Sequence, residues 1–171
     1  MIWFTADEHY GHTNIIKYCN RPFSSIEEMD KTIIDNFNAK VKSGDAVYHL
    51  GDFTLKEYER AKEYMHKLNG CHFFIIGSHD KWIVEGGECR GTYLKEIKEN
   101  GKVIVLCHYA MRVWPKSHYG SWHLYGHSHG KLLSYGLSYD VGVDNNNFFP
   151  VSFDEIKEKM KTMEIADVGR I

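Results

Sequence analysis

The sequence predicts an α/β domain, and three of its features do so. Short apolar runs alternate with amphipathic stretches in the order strand, helix, strand, the signature of α/β layering. A length of 171 residues suits one domain with one core, taken here to span residues 1–171. The apolar runs 2–6, 46–50, 73–76, 103–107 and 122–125 each break directly into acidic or histidine-rich residues. Read as strands of one sheet, these runs deliver polar side chains at a common end.

Taken in order, the first run ends at Asp7-Glu8-His9, and Asp7 and His9 are two apart, so their side chains point the same way and can share one ion. His12 is expected as a support behind the ligands, as a contact to substrate, or at the surface. Ser24 to Glu27 has the form of a capping box. The helix it opens carries Ile26, Met29, Ile33, Phe37 and Val41 as one apolar stripe, which is core packing. Gly51 turns the chain after the second run and places Asp52 at its carboxyl end, where two oxygens can bridge two ions. A second helix is expected over about 56–68, with Leu55, Tyr58, Ala61, Met65 and Leu68 inward.

The third run leads into Gly77-Ser78-His79-Asp80, at a strand end of the kind where open α/β sheets place ligands. Trp82 is expected as a core anchor and Gly86-Gly87 as a loop. Asn100-Gly101 is a hairpin signal joining a strand near 93–98 to the run 103–107, with a short helix over 92–99 as the rival. His108 follows that run. The aromatic segment 109–121, with Arg112 and Lys116, suits a loop over an anionic substrate. Gly126-His127-Ser128-His129-Gly130 sets two imidazoles two apart between glycines, able to wrap an ion. A late strand is expected over 139–143, a polar turn at 144–147, a capping box at Ser152 to Glu155 with its helix, and a frayed C-terminal end.

Composition narrows the class. Hydrophobic residues at 43% and aromatics at 14% argue for a packed globule, and no segment approaches the ~18 apolar residues of a membrane span. A net charge of −2 advertises no field for nucleic acid or an anionic bilayer. Cys19, Cys71, Cys89 and Cys107 show no C-x-x-C spacing, and the chain opens on a strand-like run, so a reducing cytoplasm is expected, with Cys107 a small core residue. Carboxylates and imidazoles converging from several strands suit divalent transition metals, and the repetition of run and ligands points to a dinuclear metallohydrolase.

The ordered set D-x-H, G-D, G-x-H-D, a lone His after an apolar run and G-H-x-H resembles the calcineurin-like metallophosphoesterase signature. The segments 11–16, 18–23 and 150–152 resemble its small phage-type and bacterial branch. That resemblance implies a four-layer α/β/β/α sandwich of two mixed sheets flanked by helices. It implies that Asp7, His9 and His129 hold one ion, that Asp52 bridges, and that His108 and His127 hold the other. His79 would stand unliganded near the phosphoryl group, oriented by Asp80. The family has asparagine where this chain has Ser78, a shorter and poorer ligand, so the second ion is expected to bind more weakly.

Two such ions, about 3.5–4 Å apart, can hold a hydroxide between them and clamp phosphate oxygens. His79 would donate to the leaving alkoxide or stabilise the phosphoryl oxygens. The expected substrate is a small phosphodiester or phosphomonoester, the diester favoured, with Mn ahead of Fe, Zn and Ni as the metal. Arg112, Lys116 and His12 are the candidates for phosphate contacts. Competing expectations are a metal-dependent nuclease and a non-catalytic scaffold, the role of the retromer subunit that shares this fold.

Overall fold

The computed structural model describes residues 1–86 and 89–166. The expected loop residue Gly87 and the expected frayed end at 167–171 lie outside the described residues. Strands β1 (Ile2–Thr5), β2 (Ala46–His49), β3 (Cys71–Ile75) and β4 (Gly91–Thr92) run parallel, and β9 (Val151–Ser152) closes the sheet antiparallel to β1, in the order β4-β3-β2-β1-β9. A second sheet has the order β5-β6-β7-β8, with β5 (Leu94–Glu99) antiparallel to β6 (Lys102–Cys107), and β6, β7 (Trp122–Tyr125) and β8 (Ser138–Asp140) parallel. The molecule is therefore two mixed sheets flanked by helices. The single sheet expected from the runs is corrected to two, because β6 and β7 pair with each other and with β8, not with β1, β2 or β3.

Alternation along β1 shows how the layers form. Trp3 joins a core with Met29, Ile33 and Phe37 of α2 (Ile26–Lys40), with Ala61 and Tyr64 of α3 (Tyr58–Met65), and with Trp82 and Ile83 of α4 (Lys81–Gly86). Phe4, one residue on, joins a second core with Leu50, Ile75, Ile104, Leu106, Trp122 and Leu124, to which α5 (Phe153–Met160) adds Phe153, Ile156 and Met160. Successive strand residues face opposite sides, so one strand serves both layers. The sheets meet at the end of β1, where Ala6 and Gly142 form an isolated parallel bridge.

The hairpin at Asn100-Gly101 forms as expected, both residues having positive φ (45° and 78°), and the rival helix over 92–99 is absent. The capping box at Ser152 and Glu155 is also present. The first one is shifted by one residue: Ser25 caps α2 by accepting from the Glu28 N–H, and the Glu28 carboxylate accepts from the Ser24 N–H at 2.8 Å. α3 is shorter than expected, and Leu55 lies ahead of it at 41% exposure instead of inward. Trp82 is a buried anchor. The late strand stops at Asp140, and Val143–Asn145 is a 3₁₀ turn instead. Among the described residues, no helix is long and apolar enough to cross a membrane.

Candidate metal centre

The parallel strands β1, β2, β3, β6 and β7 end at one place, and the residues that follow them converge there. Asp7, His9, Asp52, His127 and His129 all leave their strands through left-handed backbone, with φ of 58°, 53°, 57°, 67° and 48°. That region is sparsely used by residues other than glycine, at a cost of order 1 kcal/mol or more each. The turns persist because hydrogen bonds over-determine them: Asp7 N–H to Gly51 O, His9 N–H to Asp52 O, both 3.0 Å. Gly51 (φ +95°) is required there, since a Cβ on it would lie 2.3 Å from His108 Nδ1.

Two groups of ligand atoms result, each with its atoms within 4.8 Å of one another: Asp7, His9 and His129, and Asp52, His108 and His127. Asp52 Oδ2 stands between them, 3.7 Å from His9 Nε2 and 3.4 Å from His108 Nε2. Both of those nitrogens are buried and have no hydrogen-bond partner. Buried polar atoms are normally satisfied, so two orphaned imidazole nitrogens facing one carboxylate fit a cation between them. The donor set, imidazole and carboxylate only, suits Mn, Fe, Zn or Ni.

The groups behind the donors fix their tautomers. His108 Nδ1 donates to Leu50 O at 2.8 Å, which leaves Nε2 as the free donor atom. His129 Nδ1 donates to Asp144 Oδ2 at 2.7 Å. Asp144 in turn is held by a two-pronged contact from Arg21, at 2.8 Å and 2.7 Å, and the Arg21 Nη2 also donates to Asp7 O at 2.6 Å. Burial opposes ionisation of Asp144, but His129 and Arg21 outweigh it and hold its carboxyl below the usual range.

Electrostatics show what an ion would relieve. Burial pushes the Asp7 carboxyl up to about 8 against the pull of His129 and His108. Burial lowers His9 to about 3, although Asp52 works the other way. Asp52 is held well below the ordinary carboxylate range, burial being overcome by His108, the His79 N–H and His9. Burial opposes protonation of His108 too, yet Asp52 and Asp7 raise it to about 8.

The remaining sequence candidates divide. Ser78 and His79 join the centre through Asp52: the Ser78 hydroxyl donates to its carboxylate at 3.1 Å, and the His79 N–H does so at 2.8 Å. The His79 ring is half-exposed, with Nε2 4.0 Å from Asp52 Oδ2. His12 stands beside the first group, its Nδ1 3.4 Å from that of His9. Asp80 is corrected. Its two oxygens accept from the Asp52, Phe53 and Gly77 N–H groups and from Trp82 Nε1, so their capacity is used and it ties the loops after β2 and β3 instead of orienting His79. Arg112 and Lys116 are committed elsewhere, Arg112 over the Tyr135 ring at 4.2 Å and Lys116 to Glu96 at 2.6 Å.

Sequence reading missed four supporting parts. Arg21 and Asp144 were a motif fragment and a polar turn. Asp140 pins the histidine loop by accepting from the Ser128 hydroxyl and the Gly130 N–H. Glu8, between two ligands, turns the opposite way to meet His49 Nδ1 at 2.6 Å, and His49 Nε2 lies 2.9 Å from His72 Nδ1. The signal available for this chain was a glutamate and two histidines inside otherwise apolar surroundings.

No family model matches the chain. Among solved structures it is similar to a protein of unknown function, AQ665 from Aquifex aeolicus, with a TM-score of 0.71, 24% identity and coverage of 93% of this chain and 98% of that one, a likeness of fold alone. A novel archaeal phosphodiesterase is matched at a TM-score of 0.49 and 16% identity over 82% of each chain, too slight a likeness to carry function. The uncharacterized protein MJ1445 of Methanocaldococcus jannaschii is 39% identical over 182 aligned positions, covering 99% of this chain and 94% of that protein. Identity of that extent over nearly the full length of both places the chain in the family of MJ1445.

Proposed function

We propose that the chain is a dinuclear, metal-dependent phosphoesterase that favours small phosphodiesters. The observation that carries this reading is the pair of ligand groups sharing Asp52, with His9 Nε2 and His108 Nε2 buried and unpartnered on either side of its carboxylate. Asp7, His9 and His129 would hold one ion, His108 and His127 the other, and Asp52 both. Manganese is the first choice. Bound there, the ions would polarise phosphoryl oxygens and make water a nucleophile near neutral pH.

The chain's own groups supply the rest. His79 is the half-exposed imidazole beside the bridging carboxylate, placed to give a proton to the departing ester oxygen or to face the phosphoryl oxygens. Its backbone N–H fixes the Asp52 carboxylate, so the acid and the bridging ligand move together. The Asp80 carboxylate sets that loop, and His12 lines the approach at the first group.

The test is hydrolysis of a chromogenic diester and monoester by chelated protein with Mn, Ni, Co, Zn and Mg restored in turn. Metal-restored turnover is expected, Mn first and the diester ahead of the monoester. Silence with every ion, in a protein that takes up two ions per chain, overturns the enzymatic reading and favours a scaffold.

A further inference from the structure

The rings that surround the centre do not end at the ligands. On the first group's side, His12 stands 5.4 Å from His9 and 6.4 Å from His79, ring centre to ring centre, and Tyr18, the last residue of α1 (Thr13–Tyr18), meets His12 edge-on at 6.2 Å. On the second group's side, Tyr109 meets His127 edge-on at 4.8 Å and His108 at 4.9 Å. Tyr18 is 67% exposed and Tyr109 45% exposed. An exposed tyrosine therefore stands on each side, Tyr109 against two of the centre's imidazoles and Tyr18 against His12, the imidazole beside the first group.

Cationic groups are differently disposed. Arg21 is buried and spent on Asp144, Arg112 lies over Tyr135, and Lys116 pairs with Glu96. Lys56 lies by Gly11 on the His12 side. A long polyanion needs a basic track along its backbone. This opening has an exposed tyrosine on each side, with Lys56 by Gly11 on the His12 side, which suits one phosphate carrying flat groups on either side.

We infer that Tyr18 and Tyr109 are specificity-determining residues that stack the two ester groups of the substrate, so that the preferred phosphodiester carries planar aromatic rings such as nucleobases. Exposed tyrosines are common on protein surfaces, and the inference rests on their placement at the two ends of this centre. It also rests on the phosphoesterase reading, and the experiment separates the two.

Metal-restored wild type, Tyr18→Ala, Tyr109→Ala and the corresponding Phe variants are compared on bis(4-nitrophenyl) phosphate and 4-nitrophenyl methyl phosphate, which share a leaving group and differ in the retained ester. The kcat/KM ratio of the first to the second should fall about tenfold in the Ala variant of the tyrosine that stacks the retained ester, the order expected for one stacked ring, chiefly through KM, while the other Ala variant should lose about tenfold on both esters alike, and Phe should restore each. A ratio unchanged in both Ala variants, with both esters hydrolysed, overturns the inference and leaves the phosphoesterase reading standing. If wild type hydrolyses neither ester, that reading fails, and binding decides the inference: the metal-loaded protein must bind adenosine monophosphate more tightly than ribose phosphate, and lose the difference in the Ala variants. Equal binding of the two overturns it.

Discussion

The half of the centre formed by Asp7, His9 and His129 is held from behind by charge, and the half formed by Asp52, His108 and His127, its first two residues equally buried, opens to solvent at His127. In the first, Asp7 and His9 are buried, and Arg21 and Asp144 form a buried ion pair that grips His129 and the Asp7 backbone at once. In the second, His108 leans on the Leu50 carbonyl, while the His127 ring is exposed and meets the ring edges of His108 and Tyr109. The first half is a preformed cup whose shape is part of folding. The second is completed at the surface and would hold an ion with less support.

Arg21→Ala tests the comparison hardest. It leaves Asp144 buried without its counter-charge and the Asp7 and Glu8 carbonyls without their donor, and breaking a buried pair in this way costs about 3–5 kcal/mol. Denaturant unfolding should show a loss of that order, whereas His127→Asn, at an exposed ring, should change stability by under about 1 kcal/mol. Asp144→Asn should weaken the first ion about 10–100-fold and the second little, by metal titration. Equal losses at both ions would mean that the two halves are one rigid unit.

His79 belongs to neither half, which makes it the control for both. His79→Ala should lower kcat by about 10²–10⁴ while two ions per chain are retained, the range for loss of a general acid. Stoichiometric loss of an ion would move His79 into the second half as a ligand.

A smaller effect reads both halves together by pH. In chelated protein, Asp7 folded near 8 keeps a proton that the unfolded chain sheds near 4, so it favours the folded state less as pH rises through that span. His108, raised to about 8 from 6.5, is fully stabilising below 6.5 and ceases to be so as pH passes 8. His9, lowered to about 3, acts oppositely between 3 and 6.5 and offsets Asp7 there. The clean window is pH 6.5–8, in which Asp7 and His108 lose their contributions together and chelated protein should lose stability by about 3 kcal/mol. Manganese should remove the slope by displacing the Asp7 and His108 protons. A slope unchanged by metal would show that these groups are not ligands.

What the sequence reveals follows from what is adjacent along the chain. A strand end and its ligand are neighbours, so the Asp7, Asp52, His79, His108 and His127 positions are legible as polar residues that break apolar runs. Arg21 and Asp144 lie 123 residues apart and are joined only by the fold. The partition into two sheets was illegible in the runs for the same reason, since parallel pairing of β6 with β7 and of β1 with β2 leaves no local mark. Asp80 misled by adjacency, because backbone N–H groups from the neighbouring loop outcompete the imidazole beside it. The cap at α2 was misplaced by one residue because Ser24 and Ser25 are both competent to accept.

Ser78→Asn is the finest probe of the open half. The Ser78 hydroxyl is turned onto the Asp52 carboxylate as a donor, at 3.3 Å and 3.1 Å from its two oxygens, so it tethers the proposed bridging ligand. A carboxamide at this position reaches further and brings a carbonyl oxygen, a better neutral ligand for a divalent cation. The second ion should then bind about tenfold more tightly, near 1.4 kcal/mol, with the first unaffected. Ser78→Ala should leave the second-ion affinity within about twofold of wild type, the scale of one lost exposed hydrogen bond. If metal titration finds Ser78→Ala as damaging as loss of His127, then Ser78 is already a ligand and the second half is tighter than its exposure suggests.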